Sequence, residues 1–296
     1  MRLKNGLKLI KGTFAEYNED KVPLLAAALA YYTVFSLAPL LLIVIAIAGS
    51  VFGEEAARGE IVGQIQGLIG KEGAEAIQVM LQNTQQPNSG GTIATVLGIV
   101  TLVFGATGVF GQLQDALNII WDVQPKPERG VMNFIQTRLL SFAMVVVIGF
   151  LLLVSLVISA VLAGLSHFFG SIFPGFILGG QILNVLISFS TITLLFASIY
   201  KFLPDVRVPW KNLWVGAAVT AFLFTIGKSL IGLYLGNSGA SSTYGAAGSL
   251  VVILIWVFYS AQILLLGAEF TQVYSKFRGS PIQPSKHAVR VSRNRE

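Results

Sequence analysis

The sequence predicts an all-α membrane protein that crosses the bilayer about six times, with both termini in the cytoplasm. Three observations predict it: scarce charge, long apolar runs, and basic residues confined to alternate loops. Only 11% of the 296 residues are charged and 54% are hydrophobic. A soluble domain carries about 25% charged residues, so this chain cannot cover a water-facing surface of its size. A helical span needs about 20 mostly apolar residues. Six runs meet that length, near 24–51, 92–120, 138–168, 176–202, 211–236 and 243–274. Several exceed the minimum, which implies tilt or extension beyond the bilayer. The runs are continuously apolar rather than alternating, which argues against a β-barrel.

The 20 Lys and Arg residues then set the orientation. The N-terminal segment holds Arg2, Lys4, Lys8, Lys11 and Lys21. The second loop with its flank holds Lys126, Arg129 and Arg138, and the fourth holds Lys201, Arg207 and Lys211. The last segment holds Lys276, Arg278, Lys286, Arg290, Arg293 and Arg295. The first loop has only Arg58 and Lys71, and the third and fifth have none. Cytoplasmic segments are enriched in Lys and Arg, so both tails and the even-numbered loops are expected inside. Two basic tails on one side require an even number of spans.

Residues 1–275 read as one transmembrane helical domain. The first apolar run exceeds the roughly 7–15 residues of a signal-peptide core, and it is expected to stay as an uncleaved anchor. Before it, in residues 1–23, Leu3, Leu7, Ile10, Phe14 and Tyr17 form a narrow apolar stripe flanked by lysines. That pattern suits a helix lying on the inner leaflet, or one packed on the cytoplasmic loops. The extracytoplasmic segment 52–91 shows two short amphipathic faces, Ile61/Ile65/Leu68/Ile69 and Ile77/Met80/Leu81, separated by Gly70 and Gly73. Two short helices over the outer mouth are expected there. Residues 276–296 read as a flexible basic tail.

Polar residues inside apolar runs are costly and mark candidate sites. In the second span Gly108, Gly111, Asp115 and Asn118 fall along one stripe, whose glycines permit close helix approach. In the sixth, Tyr259, Gln262 and Glu269 share a face. The first adds Tyr32, Ser36 and Pro39, and the proline leaves a backbone carbonyl without its helical partner. Together they suggest a polar cavity open to the cytoplasm. The competing expectation is that Asp115 and Glu269 pair with Lys201, Arg207 or Arg138 near the interface. Lys228, in the fifth span, is expected to snorkel toward the outer interface. The fifth outer loop, rich in small residues up to Gly245 and Gly248, suits either a broken helix facing a ligand or close packing.

The chemistry is bounded by what the sequence lacks. It has no cysteine and two histidines, His167 and His287. No cofactor, metal site, catalytic set or nucleic-acid partner is expected, and no nucleotide-binding signature occurs. Three stretches carry a resemblance: AAALAYYTVFSLAPLLLI at 26–43, FGATGVFGQLQDALNIIWDV at 104–123, and YGAAGSLVVILIWVFYSAQILLLGAEFTQVY at 244–274. The chain resembles the YihY/virulence factor BrkB family. The resemblance implies a multi-spanning protein of the bacterial inner membrane and assigns no residue a role. The family has also carried the label of a ribonuclease. A metal-dependent nuclease needs clustered metal ligands, and the spacing here offers none. The expected function is transport or flipping of a small molecule or lipid. The alternative is a non-catalytic factor that organises an envelope complex; a membrane enzyme acting on lipid ranks third. Membrane lipids, a second copy of the chain, or an envelope partner are the expected contacts.

Overall fold

The computed structural model describes residues 2–84, 105, 108–126, 139, 143, 174–237 and 248–291. The third expected span, apart from Leu139 and Ala143, lies outside the described residues, as does Gly245. Helices α1 (Arg2–Glu19), α2 (Val22–Phe52) and α3 (Glu54–Thr84) lead the chain. They are followed by α4 (residues 108–120) and β1 (Val123–Pro125). Then come α5 (Pro174–Phe202), β2 (Val206–Arg207) and α6 (Trp210–Asn237). The chain closes on α7 (Gly248–Phe277), β3 (Gln283–Pro284) and β4 (Ala288–Arg290). Within α2, α5, α6 and α7, four stretches are long and apolar enough to cross a membrane. The chain is a helical membrane protein.

The breaks between helices follow local chemistry. Lys21 turns the chain with φ 51°, and Pro23 then opens α2, where a missing N–H costs nothing. Gly53, at φ 88°, ends α2, and its N–H donates to the Gly49 carbonyl at 2.9 Å. A side chain at Gly49 would meet the Glu54 backbone at 3.1 Å, so the α2–α3 turn is tight. Glu54 and Glu55 sit in the first turn of α3, where the helix dipole favours negative charge.

From that turn α3 runs as one helix of 31 residues, about 46 Å at 1.5 Å per residue. The expected pair of short helices is therefore corrected. A glycine costs a helix about 1 kcal/mol, and burial outweighs that cost. Ala57, Ala74, Ile77 and Leu81 are all buried. Ile77 and Leu81 join Leu41 and Ile45 of α2 and Ile253 of α7 in one apolar cluster, with Ile61 and Ile65 packed against it.

The larger core gathers Leu117, Trp121, Tyr200, Leu203, Leu213 and Leu265 from α4, α5, α6 and α7 and the turns that follow α4 and α5. Trp121 meets Tyr200 edge to face at 6.0 Å. The Tyr200 hydroxyl donates to the Leu264 carbonyl at 2.6 Å and lies 3.1 Å from Thr220 Oγ1. Helices α6 and α7 run antiparallel on small residues. A Cβ on Gly216 would strike Thr271, and one on Gly267 would strike Thr220. The two threonines bond back to the carbonyls of Gly216 and Gly267, at 2.8 and 2.7 Å respectively.

Two short ladders close the end of the bundle opposite the α2–α3 turn. β1 pairs antiparallel with β4, and β2 with β3. Residues 280–291 are thus tied to the segments that follow α4 and α5. This corrects the expected flexible tail up to residue 291; residues 292–296 lie outside the described set. Basic side chains collect at this end: Lys126, Lys201, Arg207, Lys211, Lys276, Arg278, Lys286 and Arg290. Lys201 donates to the Val208 carbonyl at 2.8 Å and lies 4.9 Å from the Trp210 ring.

Candidate functional site: a buried carboxyl at the basic end

Glu269 sits on α7 two turns before the helix end and is 0% exposed. Neither of its oxygens has a protein hydrogen-bond partner. It is positioned by its neighbours. Trp121 Nε1 donates to the Ala268 carbonyl at 3.3 Å. Gln272, one turn on, donates through Nε2 to Asp122 Oδ2 at 3.1 Å. Asp122 holds a left-handed backbone, φ 54°, and its carbonyl accepts from Val291 N–H at 2.8 Å. The charged groups whose field reaches Glu269 are Glu16 and Glu19 of α1, Asp122 and Lys276.

Helix α1 packs on this part of α7. A side chain at Gly12 would meet Val273 at 3.1 Å. Lys276 Nζ donates to Glu16 Oε1 at 3.1 Å, and the Tyr17 hydroxyl donates to Gln262 Oε1 at 3.0 Å. Burial pushes the Tyr17 phenol above its ordinary value, so it remains a donor. Leu7, Ile10 and Phe14 of the apolar stripe stay more than half exposed. One face of α1 therefore packs on protein, and the other carries apolar side chains outward.

The expected constellation divides. Asn118 is buried, but it belongs to a separate polar knot. Its Nδ2 donates to Asp205 Oδ2 at 3.0 Å, and its Oδ1 accepts from Asp205 N–H at 2.9 Å. Gln114 Nε2 donates to the same carboxylate oxygen at 3.2 Å. Asp115, which the charge of Asp205 reaches from the knot, is exposed. The reason is helical phase: Leu113, Gln114, Leu117 and Asn118 fill the buried face, and Asp115, two residues before Leu117, lies roughly opposite it at 100° per residue.

Tyr32 is 44% exposed and also stands outside a closed polar site. Ser36 is buried, and its Oγ would lie 3.3 Å from a Cβ on Gly108. Pro39 faces Gly105 in the same way, at 3.0 Å. Residues Ser36, Pro39, Gly105 and Gly108 thus form a close seam between the first two apolar segments. A Cβ on Gly111 would meet nothing within 4 Å, so no close approach is made there. Tyr259 packs toward Gly227 of α6, where a Cβ would meet its ring at 3.0 Å. Gly248 is buried at the start of α7. Of the basic partners expected for Asp115 and Glu269, Lys201 bonds to Val208, and Arg138 lies outside the described residues; Lys276 bonds to Glu16. Lys228 stands exposed on α6.

Sequence reasoning missed Gln272, Ser275, Asp122 and Asp205. Extending the Glu269 face by three residues would have reached Gln272. The two aspartates lie in turns and gave no periodic signal.

A model of the family described as "Virulence factor BrkB" matches residues 13–291. The chain belongs to that family. Among curated BrkB-family relatives, it is 26% identical to a UPF0761 membrane protein of Acinetobacter baylyi, over 97% of this chain and 66% of the relative. It is 29% identical to one of Psychromonas ingrahamii, over 89% of this chain and 85% of the relative. A Pseudomonas aeruginosa relative is 26% identical over 89% of this chain and 62% of its own length. The chain thus spans just under two thirds of two of these relatives. Their names state a membrane protein and no activity. No solved structure matches the chain.

Proposed function

We propose that this BrkB-family protein carries a small molecule or a lipid across the bacterial inner membrane, opening toward the cytoplasm at its basic end. One observation carries the reading: Glu269, a fully buried carboxyl whose oxygens have no protein hydrogen-bond partner, on a helix apolar enough to span. Burying a charge without compensation is expensive, and such groups in membrane helices mark pathways for ions and substrates. The role proposed is that of a carrier, not of an enzyme. Liposomes of phosphatidylethanolamine and phosphatidylglycerol carrying a fluorescent lipid test it, with dithionite bleaching for lipid movement and entrapped fluorescent solutes for solute movement. Wild-type protein should accelerate one of them, and Glu269→Gln should lower that rate at least tenfold with an unchanged chromatographic profile. Wild-type rates equal to protein-free liposomes in every arm would sink the reading.

The proposed topology has six spans, with the basic end inside. Reporter fusions at Lys126, Asp205 and Asn294 should report cytoplasmic, and those at Asn83 and Asn237 extracytoplasmic. A reversed signal at Lys126 would break the arrangement at its second span.

A further inference from the structure

We propose that α1 is a docking element for anionic phospholipid: its apolar stripe enters the leaflet at the basic end, and Lys8 and Lys11 meet the headgroup phosphates. The helix divides into three sectors. At 100° per residue, Leu7, Ile10 and Phe14 fall within about 60° of one another. Lys11 and Lys8 come next, about 40° and 100° round from Leu7. Gly12, Thr13 and Glu16 fill the sector beyond them, and protein holds that sector. Gly12 fits against Val273, Thr13 is buried, and Glu16 accepts from Lys276. The other two sectors are open. Leu7, Ile10 and Phe14 are 56%, 56% and 53% exposed, and Lys8 and Lys11 are exposed beside them. An exposed apolar row beside lysines is the pattern of a helix lying in a membrane interface. The stripe is also held in place. Phe14 meets Tyr17 edge to face at 6.3 Å, and Tyr17 is bonded to Gln262.

Depth and charge select the occupant. Gly216 faces Thr271 and Gly267 faces Thr220, so Val273 of α7 is level with Trp214 of α6. Trp210 and Trp214 are 51% and 43% exposed and stack at 6.4 Å at the start of α6. Tryptophans at the end of a spanning helix mark the headgroup level. Gly12 packs on Val273, so α1 lies at that level with its stripe turned away from the bundle. Only Asp20 and Lys21 separate α1 from α2, whose apolar stretch is long enough to span. Residues 1–11 hold Arg2, Lys4, Lys8 and Lys11 and no acid, while the acids of α1, Glu16 and Glu19, stand at its other end. Among the described residues neither Lys8 nor Lys11 makes an ion pair with the protein. Unpaired cations beside an apolar stripe favour anionic headgroups over zwitterionic ones. A second copy of the chain would bring the same positive charge to this face. Docking of α1 is independent of transport, and the experiment reads contact with lipid rather than flux.

The chain has no cysteine, so Leu7→Cys, Phe14→Cys and Asn5→Cys each offer one place for a fluorophore. Asn5 is exposed and lies half a turn round from Phe14, away from the stripe. The full chain is placed in nanodiscs whose lipids carry a nitroxide on the acyl chain, made of phosphatidylcholine alone or with phosphatidylglycerol added. Probes at residues 7 and 14 should be quenched and the probe at residue 5 spared. Phosphatidylglycerol should strengthen the quenching about twofold, and high salt should erase that difference by screening. Lys8→Gln combined with Lys11→Gln should erase it at low salt; the lipid and salt comparison on the otherwise unaltered chain decides the matter if this variant does not fold. Equal quenching at residues 5, 7 and 14 overturns the proposal. So does equal quenching in the two lipids, or a preference for phosphatidylglycerol that the double substitution keeps. Absence of quenching at residues 7 and 14 overturns it too, and gives the stripe to a protein partner.

Discussion

Gly216→Ala is expected to destabilise the protein severely, and Gly216→Ala combined with Thr271→Gly to recover most of the loss. The added methyl on Gly216 would fall against Thr271, whose Cβ and Cγ2 lie at 2.9 and 3.0 Å from it. Thr271 cannot swing aside freely, because its hydroxyl is bonded to the Gly267 carbonyl. Overpacking a tight contact costs about 1–3 kcal/mol. Moving the glycine to the opposite helix restores the space, at a penalty of about 1 kcal/mol for the new helical glycine. Gly267→Ala should be worse, because its methyl meets both Thr220 and the Tyr200 hydroxyl, the latter at 2.7 Å. Thermal unfolding in detergent of the singles and the double measures the coupling. Singles that melt with the wild type would show that α6 and α7 do not pack at these positions.

The second large effect is expected from Asp205→Ala. Its carboxylate accepts from Gln114 and Asn118, both of which are buried. Removing it strands two amide donors, at about 1–3 kcal/mol each. A loss of about 3 kcal/mol is the expected total, and Asp205→Asn, which keeps one acceptor, should lose less than half of that. The same residue accepts through its backbone from Ser285 N–H at 2.9 Å. Loosening the turn that carries this carbonyl should also speed trypsin cleavage after Lys286 and Arg290, which are exposed but held by the ladders. An unchanged melting temperature with unchanged cleavage would exclude the knot as a stabilising element.

The four apolar helices α2, α5, α6 and α7 and the basic end were legible in the sequence because hydropathy and charge are sums over many residues. Pro39 and Gly108 were legible too, since small residues and kinks signal close helix approach in sequence terms. What was lost depended on single partners far away in the chain. Asp205 meets Asn118 across 87 positions, and Gln272 meets Asp122 across 150. Strands of two or three residues have no period to read, so β1–β4 and β2–β3 left no trace. Gly70 and Gly73 looked like a break because propensity is local, whereas the packing that keeps α3 continuous is not. Asp115 looked like a site residue because it shares the stripe of Gly108, seven residues back, whereas the buried positions at its own depth, Gln114 and Leu117 among them, lie on another face.

The two ladders also bear on how the protein is made. Val123 has no strand partner until Arg290 exists, and Val206 waits for Pro284. At about 5–20 residues per second the first interval lasts roughly 10–30 s. During that time the intervening helices are made while β1 stands unclasped. The basic end can then be locked only late in synthesis, once the residues after α7 have emerged. A ribosome stalled before residue 283 would hold a bundle whose helices are inserted and whose basic end is still open.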